Sequence, residues 1–525
     1  MLEKIPGMNI SDEAKRHWEG IARYFRAMAY STLAKYYGGV PYYDKVTDPA
    51  DPALYKDRDS YLYVAQKIQE DFQYALDNVR TDDTKRQVNK YVVGAYMSRE
   101  MLYHATWLKY HGTTVGPTSE KVADGDIKNL LQGAINGAEV VMNSGIYSIG
   151  NTYNALFTTD DLANNPEVIW YREYTSGLQC NALMSYNGPE DQTQGGVTQD
   201  VINTYLCSDG LPIGQSPLYQ GKEDPSIQKS FQDRDPRLYH TVIPPYKVKS
   251  GKGDYPTWSY TDNPADREYI DIMGANESCS NPGVGMKRLP GQNWSASLVP
   301  EIPRLGTGAF VTCRSGYYVW KNWDNWETSF NNGNLNTADK PIFKIEEVLL
   351  NEAEAKFELG VFDQGVADKT INKLRDRAGV VKMVVADIND SFDPNRGKYY
   401  PKGNESGILV DPVLWEIRRE RIIELMGEGF GIYDIRRWRM APWFLNKPAT
   451  GLWMSKEEAM KNNMTLYNPE TGYSDGTDGS LTEGNLYLFN DPLKEGKGWL
   501  DKYYLYQVPT TEILLNPELE QNPGW

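Results

Sequence analysis

Apolar residues recur at helical spacing in two separate parts of this chain, and the pattern is absent between them. The first part holds four amphipathic segments: IARYFRAMAYSTLAKYY, SYLYVAQKIQEDFQYALDNV, VGAYMSREMLYHATWLKY and NLLQGAINGAEVVMNSG. Their similar lengths and short or moderate connections match paired helices that stack as in tetratricopeptide-type repeats, although the exact repeat signature is not kept. The spacing therefore predicts a mainly α fold on a tetratricopeptide-like helical scaffold.

The first two segments also predict which side chains face the core. In the first segment, which GGVP should end, one face carries Ile21, Phe25, Met28, Ala29, Leu33 and Tyr36. In the second segment, one face carries Tyr61, Ala65, Ile68, Phe72, Leu76 and Val79. We expect both faces to be buried, because an apolar stripe at this spacing packs against a neighbouring helix.

Helical spacing returns near the end, in PIFKIEEVLLNEAEAKFELG, INKLRDRAG and PVLWEIRRERIIELMGEGFGIYDIRRW. Between the two helical parts, Gly, Pro, Asn and Asp interrupt short apolar runs such as EVIWYREY and GYYVWKNW, which predict strands or extended loops. A long irregular stretch inside a compact protein is either disordered or functional, and its many aromatic residues argue against disorder.

These patterns predict four regions. Residues 1–156 form an N-terminal tetratricopeptide-like helical region, and residues 157–339 form a loop-rich insertion that binds the ligand. Residues 340–441 return to the helical scaffold, and residues 442–525 form a loop-rich C-terminal region that packs on it.

Charge and composition exclude several classes of function. The net charge of −16 and pI of about 4.9, without a basic stripe, disfavour nucleic acid and an anionic membrane surface as partners. Cys180, Cys207, Cys279 and Cys313 lack metal-type spacing, and the four histidines are scattered. No phosphate loop, dinucleotide fingerprint or GxSxG elbow is present. We therefore predict no cofactor and no metal.

The charge-dense segment WEIRRERIIELMGEGFGIYDIRRW allows two interpretations. Glu416, Glu420 and Glu424 lie one helical turn apart, and Arg419 and Arg421 are spaced to pair with Glu416 and Glu424 along the helix. A pair of carboxylates held across a bond would suit glycoside hydrolysis. The favoured interpretation is a scaffold helix whose charges pair with each other and with adjacent helices.

Aromatic and amide side chains of the irregular block are the candidates for ligand binding. Sugar rings stack their C–H faces on flat aromatic rings, and their hydroxyls need amide or carboxylate partners, although single aromatics more often serve packing. The candidate glycan-binding residues are Tyr174, Tyr186, Asn187, Gln192, Trp258, Trp294, Trp320 and Trp326. In SGYYVWKNWDNWETSF, strand alternation would place Trp320 and Trp326 on one face.

Several ordered blocks resemble the SusD/RagB-type nutrient-capture lipoproteins of the Bacteroidetes outer membrane. These blocks are ARYFRAMAYSTLAKYYGGVP, DRDPRLYHTV, SGYYVWK, IFKIEEVLLNEAEA, INKLRDRAG, ERIIELMGEGFGIYDIRRW and, most specific, the ending YQVPTTEILLNPELEQNPGW. The chain departs from the family where Phe430 and Gly431 follow Gly429, since the family usually has an arginine two residues after its Glu-Gly pair.

The resemblance implies a non-catalytic role at the cell surface, the capture of a nutrient that is most often an oligosaccharide or polysaccharide. It implies a partner, a SusC-like TonB-dependent transporter in the outer membrane, over which the protein sits as a lid. It also implies a lipid anchor as the one membrane contact. This chain begins in the polar stretch MLEKIPGMNISDEAKRHWEG without a signal peptide, and we expect the anchor and part of the first helical repeat to precede it.

Three alternatives stay open at this point: a peptide-capturing member of the same family, a glycoside hydrolase or lyase, and a scaffold that binds only its transporter. For a glycan-binding protein, Trp294→Ala or Trp320→Ala should weaken binding by on the order of 1 kcal/mol for each stacked aromatic.

Overall fold

The computed structural model describes residues 1–81, 84–112, 122–150, 153, 155–180, 196–245, 248–249, 259–260, 262–264, 298–299, 313–319, 321–322 and 336–525. Helices predominate in this part of the chain, which confirms the predicted mainly α fold. The α-helices are α1 (Asp12–Tyr37), α2 (Tyr61–Asn78), α3 (Lys90–His111), α4 (Asp124–Met142), α5 (Ala155–Thr158), α6 (Gln199–Thr204), α7 (Ile227–Ser230), α8 (Arg237–Thr241), α9 (Ile345–Glu358), α10 (Gln364–Lys369), α11 (Ile371–Ala378), α12 (Pro412–Glu424), α13 (Gly431–Arg437), α14 (Ala441–Leu445), α15 (Lys456–Lys461) and α16 (Thr510–Leu515). None of the helices described is long and apolar enough to cross a membrane.

The strands are short and form small antiparallel sheets. They are β1 (Val168–Arg172), β2 (Val248–Lys249), β3 (Ser259–Tyr260), β4 (Leu298–Val299), β5 (Lys340–Lys344), β6 (Lys398–Tyr399), β7 (Ile408–Leu409), β8 (Ala449–Ser455), β9 (Tyr467–Asn468), β10 (Tyr473–Ser474) and β11 (Glu483–Phe489). Strand β1 pairs with β5, β2 with both β3 and β4, β6 with β7, β8 with β11, and β9 with β10.

The long helices pack in pairs. Helix α1 packs on α2, α3 on α4, and α9 packs against α3, α4 and α12. The side chains of Ser11, Ser60 and Asn89 cap the first turns of α1, α2 and α3 by accepting backbone N–H groups. One large hydrophobic core runs through these helices, so the predicted scaffold of paired helices is present.

The predicted core face of α2 is confirmed, but that of α1 is wrong. All six residues predicted for α2 are buried. In α1, Phe25 is 45% exposed and Leu33 is 40% exposed. The residues that α1 buries are His17, Gly20, Tyr24, Ala27, Ser31 and Ala34. These are mostly small, because α1 lies close to α2, and close helices need small residues between them.

Two glycines set the crossing of α3 and α4. A Cβ atom added at Gly94 would lie 2.7 Å from the carbonyl oxygen of Gly137, and one added at Gly137 would lie 2.6 Å from the carbonyl oxygen of Gly94. Both distances are shorter than van der Waals contact and involve backbone atoms, which move only with the helix. The two helices therefore touch along their backbones.

Gly137→Ala is expected to lower the free energy of unfolding by about 1–3 kcal/mol, because the added methyl group overpacks the crossing. Gly125 lies in the first turn of the same helix with open space around its Cα, so Gly125→Ala serves as the control. The control should be neutral or stabilising, since alanine favours the helix more than glycine. Chemical denaturation followed by circular dichroism would measure both, and equal effects would contradict the close crossing.

The antiparallel pair of β1 and β5 closes the central block. Val168 pairs with Lys344 and Arg172 pairs with Lys340, so the chain leaves the scaffold and returns to it side by side. The predicted strand in EVIWYREY is confirmed. The run PIFK, predicted as the start of a helix, is instead part of β5, and α9 begins at Ile345. Proline disfavours the helix interior, and the pairing with β1 decides the conformation.

A second hydrophobic core lies outside the paired helices. It joins residues of α6, α8, β8 and β11, with Tyr317 and Tyr318 of the SGYY run buried within it. Val319 forms an isolated bridge with Val242, which agrees with the predicted extended conformation of this run.

Charged side chains buried beneath α12 join the scaffold to the central block. Arg377 of α11 contacts Glu167, Glu346 and Glu424. Arg237 of α8 contacts Asp235, Glu420 and Glu424. We call these seven residues the ionic cluster. The interpretation of α12 as a scaffold helix with paired charges is confirmed.

The two ion pairs predicted along α12 have different outcomes. Arg419 contacts Glu416 at 3.0 Å, as predicted. Arg421 instead contacts Asp434 of α13 at 2.8 Å, so the predicted pair with Glu424 is wrong. Glu424 is already held by the two arginines of the ionic cluster.

Candidate functional site

A cavity of about 1260 Å³ opens between helix α6, the end of α12, helix α14 and the end of strand β11. Three distant parts of the chain line it: residues 198–222, 393–449 and 487–497. We call it the aromatic cavity, because its lining includes Tyr219, Trp415, Trp443, Phe444, Tyr487 and Phe489.

The aromatic rings differ in how far they reach into solvent. Trp415 is buried in the wall, whereas Trp443, Phe444 and Tyr487 are half-buried and Phe489 is 67% exposed. Trp443 and Phe444 sit together on α14, which Pro442 starts at its first turn. Rings that are only half-buried keep a face available to a ligand.

A salt bridge ties two walls of the cavity together. The ammonium group of Lys447 lies 2.7 Å from a carboxylate oxygen of Asp200 on α6. The same ammonium lies 5.4 Å from the ring centre of Trp443 and 5.9 Å from that of Phe444. These contacts place Lys447 between α6 and the two rings of α14.

The wall around Trp415 is held by charged hydrogen bonds. The indole N–H of Trp415 donates to Asp393 at 3.0 Å, and the guanidinium of Arg419 contacts both Asp393 and Glu416. Burial disfavours the charged guanidinium, but the carboxylates of Glu416 and Asp393 outweigh it and raise the pKa of Arg419. This side of the cavity is therefore preformed.

Amide groups lie among the rings. Asn203, Gln215, Asn395 and Asn490 all line the cavity. The hydroxyl of Tyr487 donates to the side-chain oxygen of Asn490 at 2.6 Å, which fixes that amide beside the ring. Half-buried rings beside amides match a sugar, which offers C–H faces to the rings and hydroxyls to the amides.

The carboxyl groups of the cavity are paired with donors. Asp200 pairs with Lys447, Asp393 with Arg419, Asp434 with Arg421, and Glu495 with Lys497. A glycosidase needs a carboxylic acid whose pKa is raised, so that it can protonate the leaving group. Among the described residues, the carboxyl groups with a raised pKa are Asp339, Glu346 and Glu416, and these do not line the cavity.

A serine–histidine contact elsewhere does not have the geometry of a hydrolase. The hydroxyl of Ser31 lies 2.7 Å from Nε2 of His104, but Nδ1 of that ring contacts the hydroxyl of Tyr61 rather than a carboxylate. All three side chains are buried, and burial lowers the pKa of His104 to about 3. Within the described part of the chain, no group of three His, Cys, Asp or Glu side chains could hold a metal ion.

The predicted binding residues lie mostly beyond the part of the chain that the structure describes. Tyr174 is described: it is half-buried, its backbone N–H donates to Asp339 at 2.9 Å, and it is not among the residues lining the aromatic cavity. Outside the described residues lie Tyr186, Asn187, Gln192, Trp258, Trp294, Trp320 and Trp326. Their role in binding stays a prediction.

The aromatic residues that do line the cavity were not among the predicted binding residues. Trp443, Phe444, Tyr487 and Phe489 belong to the region 442–525, which was assigned to packing on the scaffold. The sequence did contain a sign of this site. Trp443 and Phe444 are adjacent, and Tyr487 and Phe489 are two residues apart, in polar segments where large aromatic pairs are unusual.

Comparisons with known proteins agree with this architecture. Residues 166–525 match the model of the SusD family. A SusD-like protein from Bacteroides fragilis NCTC 9343 is 20% identical, with a TM-score of 0.62 over 100% of this chain and 82% of that protein. A SusD-like carbohydrate binding protein from the same organism is 20% identical, with a TM-score of 0.60 over 99% of this chain and 83% of the other.

A third solved structure, a SusD superfamily protein from Parabacteroides distasonis ATCC 8503, is 16% identical, with a TM-score of 0.54 over 100% of this chain and 82% of that one. A comparison with curated proteins gives no match. The family match covers more than half of the sequence, and the solved structures share its tetratricopeptide-like helical fold. The chain is therefore a member of the SusD family.

Proposed function

We propose that this protein captures a glycan at the cell surface, without chemical turnover, and hands it to a TonB-dependent transporter in the outer membrane. The aromatic cavity is the proposed binding site. The observation that carries the proposal is the arrangement of half-buried rings, Trp443, Phe444 and Tyr487, beside amide groups in one preformed cavity.

The volume of the cavity favours an oligosaccharide over a single sugar. Pockets for drug-sized ligands measure roughly 300–1,000 Å³, and this cavity of about 1260 Å³ is larger. Ion pairing of the cavity's carboxylates and the net charge of −16 favour an uncharged glycan over a polyanionic one.

Binding without turnover is supported by the state of the carboxyl groups. Those that line the cavity are engaged in ion pairs, and those with a raised pKa lie elsewhere among the described residues. Incubation with polysaccharides, followed by an assay for new reducing ends, tests this part of the proposal. Sustained release of product would favour a glycoside hydrolase instead.

Family membership supports the proposed transporter and surface location. Co-purification of the protein with a TonB-dependent transporter from an outer-membrane fraction would test both. Recovery of the protein without a transporter, from a soluble fraction, would contradict this part of the proposal.

The binding experiment is affinity electrophoresis in gels that contain amylopectin, laminarin, levan, mannan, xylan or pectin. At least one uncharged polysaccharide should retard the protein. If none does, and peptides bind instead, the protein is a peptide-capturing member of the family.

Trp443→Ala should weaken binding of the retarding polysaccharide about fivefold to tenfold, because a stacked aromatic ring contributes roughly 1 kcal/mol or more. Trp18→Ala is the matched control, since Trp18 is a 43% exposed tryptophan of α1 that does not line the cavity. Thermal melting would show that both variants fold. Equal affinities of the two variants would remove Trp443 from the site.

A further inference from the structure

A second cavity, of about 570 Å³, lies on the other side of the turn that joins α12 to α13. Residues of α1, α3, β5 and α13 line it, so it belongs to the helical scaffold rather than to the C-terminal region. We call it the scaffold cavity. Several residues that line it, such as Thr32, Tyr36 and Gly429, lie in the blocks that resemble the family.

The two cavities share a wall. Five residues line both of them: Arg421, Gly427, Gly429, Phe430 and Asp434. Arg421 and Asp434 are buried and contact each other at 2.8 Å, so they form the base of the wall. The two glycines are exposed and form its top.

The top of this wall is formed by residues without side chains. Gly427 and Gly429 have φ angles of 78° and 86°, which favour glycine, and a Cβ atom at either position would meet no atom within 4 Å. Between them lies Glu428, which lines the scaffold cavity and whose carboxylate contacts Lys321 at 2.8 Å and Lys344 at 2.9 Å. A ligand chain can therefore cross from one cavity to the other over bare backbone.

The scaffold cavity offers the same chemistry as the aromatic cavity. Its lining includes the rings of Tyr36, Tyr96, Phe430 and Tyr433. Tyr103 also lines it, and its buried hydroxyl has no hydrogen-bond partner among the described residues.

Two cations of the scaffold cavity are paired with carboxylates of the protein. Lys35 contacts the carboxylate of Glu100 at 2.5 Å, and Arg99 makes two hydrogen bonds of 2.6 Å to Glu347. Their N–H groups can still donate to ligand hydroxyls, and no negative charge is required of the ligand. The lining therefore suits a polar, uncharged chain.

We propose that one oligosaccharide spans both cavities, with the scaffold cavity as a second subsite reached over the Gly427–Gly429 ridge. This inference rests on the proposed function and extends it. It names the ligand as an oligosaccharide long enough to fill the two cavities, and it predicts that affinity rises with chain length.

The test uses size-graded oligosaccharides, prepared by partial hydrolysis of the polysaccharide that most retards the protein, in calorimetric titrations. Affinity should rise with length until both cavities are filled. Tyr433→Ala should weaken binding of the longest oligosaccharides about tenfold and of the shortest less than twofold, because it removes one stacked ring from the second subsite only.

A second variant adds a large side chain to the scaffold cavity instead of removing one. Thr32 is exposed on α1 and lines the scaffold cavity, so Thr32→Trp should fill it and abolish the gain with length. Trp443→Ala is the control and should weaken binding of every length. Affinity that is independent of length in the unaltered protein, or variants that weaken all lengths equally, would overturn the second subsite and leave the proposed function intact. Absence of binding to every polysaccharide would overturn both.

Discussion

Replacing Arg377 by alanine is expected to lower the free energy of unfolding by about 3–5 kcal/mol, the largest effect of any single change proposed for this protein. Arg377 is buried and contacts Glu167 at 2.8 Å, Glu346 at 3.3 Å, and Glu424. Without the guanidinium, three carboxyl groups would share a dry site with fewer positive partners.

The contacts of Arg377 explain why the cost is high. Burial disfavours the charged guanidinium, but Glu424, Glu167 and Glu346 together raise the pKa of Arg377. Burial and the neighbouring Glu167 in turn raise the pKa of Glu346. The arginine and its carboxylates are thus mutually dependent, and the loss of one partner leaves buried charge uncompensated.

Arg86→Ala is the matched control. Arg86 also contacts a glutamate, Glu173, but the two side chains are 54% and 46% exposed. Water screens such a pair, so its loss should change stability little. Urea denaturation followed by tryptophan fluorescence would compare the midpoints of both variants with the unaltered protein. Similar midpoints for the two variants would show that the ionic cluster is not structurally important.

The second large effect concerns acid. Stability is expected to fall by about 3 kcal/mol between pH 4.5 and about pH 2 through Glu354 alone. Burial by itself would raise the pKa of this carboxyl, but the guanidinium of Arg437, at 2.6 and 2.8 Å, lowers it to about 2. The indole N–H of Trp438 also donates to it at 2.6 Å.

The direction of the effect follows from the lowered pKa. In the unfolded chain the Glu354 carboxyl has its ordinary pKa of 4.5, so above that pH it is charged in both states and its folded contacts stabilise fully. As the pH falls towards the folded value of about 2, the unfolded chain takes up the proton first and stability is lost.

Glu354→Gln should abolish this dependence. The variant should be less stable than the unaltered protein at neutral pH, and the difference should narrow as the pH falls below 4.5. Glu13→Gln is the control, because Arg80 also lowers the pKa of Glu13, but that pair is exposed to solvent. Urea midpoints measured from pH 3 to 7 would test this. A difference that stays constant across the range would contradict the role of Glu354.

The sequence predicted the scaffold better than it predicted which faces pack. The residues of α2 show why one face was predictable, because its core side is the apolar stripe from Tyr61 to Leu76. Helix α1 is different: it buries Ala27, Ser31 and Ala34. A prediction from hydropathy selects the face with large apolar residues, whereas close packing of two helices selects the face with small ones. The sequence of α1 carries both faces, so it does not show which one is buried.

The candidate site was less predictable than the fold. The aromatic cavity brings together α6, the Trp415 wall and the end of β11, which are far apart in the sequence. No local spacing in the sequence encodes how these parts come together, because their assembly depends on tertiary packing. The salt bridge between Lys447 and Asp200 is an example of a contact that could not be predicted, since neither residue belongs to a recognisable motif.

The pairing of β1 with β5 has a consequence for how proteins of this kind diverge. Because Arg172 and Lys340 are held side by side, the chain between them starts and ends at one point of the scaffold. Once the ends are fixed, doubling the length of a flexible segment costs only about 0.6 kcal/mol. Loops between the two strands can therefore change in length at little cost to the scaffold, whereas the parts of this segment that pack in the second hydrophobic core cannot. The residues that should resist such change include Arg237, which contacts Glu420 of α12, and Asp235, which contacts Arg237.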